Sequence, residues 1–161
     1  VYGVTLPEGF NAAINAEIHR RLDAEVQAVE GAREAILAIG GLCGVASSTG
    51  SLQLRKNLTT VGLVDLFGDH IYSAQQVKRG KPAPDVFLFA ASQMGGDPGD
   101  ALVIEGTVAG VTAAGRAGMR AGGVTGANHS GPGLEARLRA AGAELVVHHM
   151  RALAAAVAAL R

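Results

Sequence analysis

Ser47-Ser48-Thr49-Gly50-Ser51 sets a row of hydroxyls directly after the apolar run Leu42–Ala46 and directly before a helical pattern. Hydroxyls beside the free N–H groups of a helix N-terminus form an anion site, because several donors and the helix dipole point the same way. Simple N-capping by Thr49 or Ser51 is the structural alternative. A second polar segment, Lys78-Arg79-Gly80-Lys81-Pro82-Ala83-Pro84-Asp85, holds Lys81 in a loop stiffened by two prolines. A fixed ammonium suits a phosphoryl oxygen or a carboxylate, whereas Lys78 and Arg79 read as a solvated basic loop. A third segment begins with Glu105 at the tip of the apolar run Ala101–Ile104 and continues Gly106-Thr107-Val108-Ala109-Gly110. A carboxylate there is poorly solvated and needs a partner, for which Mg²⁺ and Lys81 both qualify. Thr107 reads as a helix cap.

The elements that must carry these residues alternate. Apolar runs at Leu42–Ala46, His70–Tyr72, Ala101–Ile104, Arg120–Val124 and Glu144–Val147 read as strands. Helical patterns fall at Leu52–Val61, Pro84–Met94, Val108–Ala117, Gly133–Ala141 and Arg151–Leu160. Strand then helix, repeated across short Gly- or Pro-marked turns, predicts an α/β fold: a doubly wound, Rossmann-like parallel sheet with helices on both faces. Ligands bind such sheets at the carboxyl ends of the strands, where the three polar segments lie. Ahead of this region, Phe10, Ile14, Ile18, Leu22, Val26 and Val29 recur at helical spacing, which predicts a long amphipathic helix with one buried face, interrupted at Gly31. A shorter helix, Ala32–Ile39, should stop at Gly40-Gly41.

Fourteen basic residues balance fourteen acidic ones, so no bulk field gathers polyanions and no nucleic-acid partner is expected. The longest apolar stretch, Ala152–Leu160, is far short of the ~20 residues a bilayer-spanning helix needs, so no membrane association is expected. Cys43 lies in an apolar run as a buried reduced thiol, and a lone cysteine builds no disulfide framework; the expected compartment is the cytoplasm. His129, in the loop after the fourth strand, stands where substrate would enter and is a candidate substrate-binding residue, although loop histidines are more often solvated. His148 and His149 are adjacent at a strand end and point to opposite faces, which argues against shared metal ligation. His19, flanked by Arg20, reads as solvated.

In order, the phrases VASS, GKPAPD and VIEGTVAGVTAAGRAGM resemble the second, third and fourth motifs of the haloacid dehalogenase superfamily, in its capped phosphatase and beta-phosphoglucomutase-like group. The resemblance covers Gly31 to Leu160. It implies that Ser47 hydrogen-bonds the transferring phosphoryl group, with Ser48 beside it at the substrate. Lys81 would neutralise the phosphoryl charge and orient the nucleophile, and Glu105 would contribute to a Mg²⁺ site. Residues 1–30 would be the last part of a helical cap and residues 31–161 the α/β core. The implied activity is hydrolysis of a small phosphate ester through an aspartyl-phosphate intermediate.

Two departures qualify that implication. The family's reaction begins with a D-x-D pair on a strand near the start of the chain, and no D-x-D occurs here. The chain begins at Val1 rather than Met, and the missing strand is expected to precede it. Its absence should open a slot in the sheet and leave neighbouring backbone groups unpaired. Relatives also carry Asp directly after the glutamate, where this chain has Gly106, which offers no oxygen ligand. Taken alone, the chain is expected to be a poor catalyst or none. A sugar phosphomutase and a non-catalytic phosphate-binding relative stand as alternatives, whereas a nucleotide-binding Rossmann domain lacks its G-x-G-x-x-G turn.

Overall fold

The computed structural model describes residues 7–126 and 131–160. After α1 (Phe10–Glu25) and α2 (Ala32–Ile39), strand and helix alternate through β1 (Val45–Ser47), α3 (Ser51–Thr60), β2 (Ile71–Ser73) and α4 (Asp85–Met94). The alternation continues through β3 (Leu102–Glu105), α5 (Val108–Arg116), β4 (Arg120–Val124), α6 (Leu134–Ala140), β5 (Leu145–Val147) and α7 (Leu153–Ala158). Each expected strand and helix of this region is present, shifted by a few residues at its ends.

All strand pairs are parallel. They form two sheets: β1 pairs with β2 (Ala46 beside Tyr72), and β3-β4-β5 form the other, with Glu105 beside Gly123 and Val124 beside Val147. Among the described residues no strand joins β1 to β3, which leaves a gap between the two sheets. The two halves nevertheless share a core. Ala46 of β1 and Val103 of β3 both pack against the cluster formed by Val86 and Phe87 of α4, Val111 and Ala114 of α5, and Leu138 of α6.

Strand side chains alternate between faces, and the burial follows. Val103, Ala121 and Val146 face that cluster, whereas Leu102, Ile104, Val124, Leu145 and Val147 meet Ala35 of α2 and Leu153 and Val157 of α7 on the opposite face. Helices therefore cover both faces, as a doubly wound sheet requires. At Gly123 an added Cβ would stand 2.9 Å from Leu138 Cδ1, so the glycine lets α6 seat closely on β4.

The long first helix departs from expectation. It ends at Glu25, with Val26 already extended, and none of its residues is buried. Its last turn carries no basic residue, and Glu25 sits at the negative end of the dipole, so little favours continuing to Val29. Phe10, Ile14 and Ile18 are 42%, 45% and 47% exposed, so the apolar stripe is real but uncovered among the described residues. α1 is tied to α3 by polar contacts, Asp23 to Lys56 at 2.7 Å and to Gln53 at 3.1 Å. Gly31 instead opens α2 at φ 78°, against Arg151, whose guanidinium pairs with Glu30. α2 stops at Gly40-Gly41, both at positive φ, as expected. No described helix is long and apolar enough to cross a membrane. Cys43 is free and half-buried, with its thiol 3.5 Å from the Leu66 carbonyl.

Candidate active site

Ser47 ends β1, and its hydroxyl accepts from the Thr49 N–H at 3.1 Å, which folds the chain into a tight turn at the strand tip. That turn is anchored from β2. Ser73, fully buried, donates to the Thr49 carbonyl at 2.7 Å and accepts from the Gln75 N–H at 3.2 Å. Gln76 closes a capping box by accepting the Ser73 N–H at 2.7 Å. Neither Thr49 nor Ser51 caps α3, contrary to the simplest expectation: Gly50 is the N-cap residue, and the Ser51 N–H is taken by Gln75 Oε1 at 3.1 Å. A side chain from the next strand end thus does the work expected of a local hydroxyl, because the turn at Ser47 has already used the nearest one.

Lys81 sits in a loop pinned at two points. Arg79 forks onto Asp85 at 3.0 and 3.1 Å, and Arg116 of α5 donates to the Pro82 carbonyl at 3.0 Å. Arg79 is therefore paired rather than merely solvated, and its guanidinium holds the Asp85 carboxyl below the usual carboxylate range. The Lys81–Pro82 peptide bond is cis. From this frame the ammonium reaches into the gap between the sheets. It donates to the Ala46 carbonyl of β1 at 2.9 Å, forms a salt bridge with Glu105 of β3, and lies 4.7 Å from the centre of the Phe87 ring. One backbone acceptor that the split sheet should strand is thus satisfied by a lysine.

Glu105 is 12% exposed and Lys81 9%, so the pair is largely withdrawn from water. The second Glu105 oxygen accepts from Thr107 Oγ1 at 3.1 Å, and Thr107 also caps α5 by accepting the Gly110 N–H at 3.0 Å. The carboxylate lies over the first turn of α5, where the helix dipole favours an anion. It can lie there because residue 110 is glycine: a Cβ at that position would collide with the Glu105 carboxyl.

Of the residues singled out from the sequence, Lys81 and Glu105 meet directly, and Lys81 bonds the carbonyl adjacent to Ser47. The Ser47 hydroxyl is at the same rim, with the Thr49 N–H as its recorded partner. Ser48 is exposed one residue further along the turn. His129 lies outside the described residues. His148, 64% exposed in its side chain, bonds Thr125 Oγ1 at 2.8 Å and approaches Glu135 at 3.3 Å, while His149 and His19 are exposed. Sequence reasoning did not find Ser73, Phe87 or Gly110. A glycine inside the first turn of a helix is a usable signal, since it costs helix propensity without a turn to justify it; the other two depend on tertiary contact.

Among the described residues no three His, Cys, Asp or Glu side chains gather closely enough to hold an ion. Glu105 is the single carboxylate of the three predicted segments that reaches the gap, and both of its oxygens are engaged by Lys81 and Thr107. By themselves these residues do not fit Mg²⁺, which asks for octahedral oxygen coordination with one or two carboxylates available to it.

Comparison with known proteins bears on the family of the chain. A family model described as haloacid dehalogenase-like hydrolase matches residues 3–118. A beta-phosphoglucomutase of Mycobacterium tuberculosis is 40% identical over 141 residues, covering 83% of this chain and 52% of that protein. A 6-phosphogluconate phosphatase of Escherichia coli is 28% identical over 119 residues, covering 73% of this chain and 54% of that protein. Among solved structures, a conserved haloacid dehalogenase-like protein of unknown function from Agrobacterium tumefaciens superposes with a TM-score of 0.91 at 36% identity, covering 99% of this chain and 72% of that one. The chain spans about half the length of the curated relatives it matches. With a family model over most of its length and a solved relative that it largely covers, the chain belongs to the haloacid dehalogenase-like hydrolases.

Proposed function

We propose that the protein containing this chain is a phosphatase of small phosphorylated metabolites, and that the Lys81–Glu105 pair marks its phosphoryl site. The observation that carries the reading is the position of the Lys81 ammonium: fixed between the tips of β1 and β3, beside the Ser47 turn, in a place largely closed to water. A cation so held has its charge undiluted by solvent and meets a phosphoryl group at no reorganisation cost. Ser47 would donate to a phosphoryl oxygen and Ser48 would face the substrate, as would His129. In this reading a strand carrying a nucleophilic aspartate occupies the gap between β1 and β3. Its carboxylate oxygen attacks phosphorus as the bond from phosphorus to the substrate oxygen breaks, and that oxygen takes a proton from the acid/base aspartate two residues further along the same strand. Water then cleaves the acyl phosphate, releasing inorganic phosphate and restoring the carboxylate. Residues 1–30 would belong to the cap and residues 31–161 to the core. Residues 1–161 alone would lack the nucleophile and show no turnover. Haloacid dehalogenase-like hydrolases generally use Mg²⁺, which here would need carboxylates from the strand in the gap. We place the protein in the cytoplasm, with a small-molecule phosphate ester and neither nucleic acid nor membrane as its partner.

The test is an assay of the full-length protein against a panel of phosphate esters with Mg²⁺ present. Turnover of sugar or sugar-acid phosphates supports the reading, and none on any ester overturns it. Similarity to beta-phosphoglucomutases favours a mutase as the second reading; a requirement for a bisphosphorylated sugar primer would select it.

A further inference from the structure

We infer that the phosphoryl site of this protein functions without a tightly bound divalent metal, and that Gly106 is the residue that withholds one. The inference deepens the proposed function and rests on it for the identity of the anion.

Position 106 directly follows the last residue of β3, at the rim where Glu105 and Lys81 meet. A Cβ built there finds the Val124 carbonyl oxygen at 3.6 Å as its nearest neighbour, an ordinary contact, and the backbone is outside the left-handed region. The fold therefore does not demand glycine at 106, in contrast to Gly110, where any side chain displaces Glu105. A Cβ fits at 106 without displacing a neighbour, and the chain carries none.

Glu105 does not make good the loss. One oxygen faces the Lys81 ammonium and the other the Thr107 hydroxyl, so a divalent cation on Glu105 would compete with that hydroxyl while standing beside an ammonium of like charge in a site largely closed to water. Carboxylates brought by a strand in the gap would meet the ion one ligand short. The cation opposite the phosphoryl group is then Lys81 itself. Glu105 becomes its positioning residue: together with the Ala46 carbonyl it fixes where the ammonium points.

The decisive measurement is calorimetric titration of full-length wild type, Gly106→Asp and Gly106→Asn with MgCl₂, followed by titration with inorganic phosphate in the presence and absence of Mg²⁺. Expected is weak Mg²⁺ binding by wild type, a gain of at least about tenfold in Gly106→Asp, on the scale by which metal-site partners change affinity, and none in Gly106→Asn, which adds the bulk without the charge. Wild-type phosphate affinity should be the same with and without Mg²⁺. Wild type binding Mg²⁺ as tightly as Gly106→Asp, or neither binding it, overturns the inference. So does wild-type phosphate affinity that rises with Mg²⁺. Failure of wild type to bind phosphate under either condition counts instead against the phosphatase reading, and the MgCl₂ titrations still decide the role of residue 106.

Discussion

The carboxylate of Glu105 occupies the space in which a side chain at Gly110 would stand. One turn of α5 thereby acts as a seat for the acid that holds Lys81. Gly110→Ala should unseat it: raising the helix propensity of residue 110 is outweighed by overpacking, which costs about 1–3 kcal/mol. Urea denaturation should show lower stability, and a phosphate titration weaker binding. Greater stability in Gly110→Ala would mean that Glu105 sits elsewhere in solution.

Lys81→Met should be more costly, because it leaves Glu105 withdrawn from water with no cation. Breaking one side of a buried pair costs about 3–5 kcal/mol, and the residual exposure of both groups argues for the lower end, about 3 kcal/mol. Adding Glu105→Gln removes the stranded charge and should recover much of that loss, so a double-mutant cycle by urea unfolding should reveal strong coupling. Independent, additive effects would contradict the pairing.

Ser73 makes three hydrogen bonds from a fully buried position and supports the Ser47 turn from behind. Ser73→Ala removes the hydroxyl and leaves the Thr49 carbonyl without its donor, a loss of about 1–3 kcal/mol. Thermal unfolding checks the stability, and faster amide exchange across residues 47–51 would show that the turn, rather than β2, is what loosens.

The strands of the α/β region were legible because each apolar run is short, bounded by glycine or proline, and followed by a polar tip; Ala101–Ile104 leading into Glu105 is the clearest case. That Glu105 needs a partner was legible because it ends a strand, and that Lys81 is held in place because Pro82 and Pro84 stiffen its loop, but Mg²⁺ and Lys81 stood equally as that partner. What the sequence could not disclose was which group satisfies which when several are within reach. Gln75 rather than Thr49 or Ser51 serves the start of α3, and Lys81 serves the Ala46 carbonyl, because long side chains arrive from distant segments. Periodicity gave the apolar stripe of α1 only as far as Leu22, and the buried face it implied is absent, because spacing says nothing of whether Phe10, Ile14 and Ile18 have anything to pack against.

The Asp23 contacts to α3 carry a pH dependence. Hydrogen bonding from Lys56, then from Gln53, with the Lys56 charge, holds the Asp23 carboxyl below the ordinary carboxylate range. A depressed pKa means that the attachment of α1 is fully present above the unfolded-state value, about 3.9, and is lost as pH falls through the folded value. Protection of the α1 amides, measured against the intrinsic exchange rate at each pH, should fall below that range, and Lys56→Ala should give the same loss of protection at neutral pH. Because the contact is at the surface, added salt should weaken it as well. Protection in α1 insensitive to acid, salt and Lys56→Ala would place its attachment elsewhere.

The divided sheet also bears on handling. Among the described residues no strand lies between β1 and β3, so the edge N–H and C=O groups that Lys81 does not satisfy are open to an extended peptide, and such edges are templates for unwanted pairing. A preparation of residues 1–161 should therefore clump on concentration, and should be rescued by a soluble peptide able to slide in as the absent rung of the ladder.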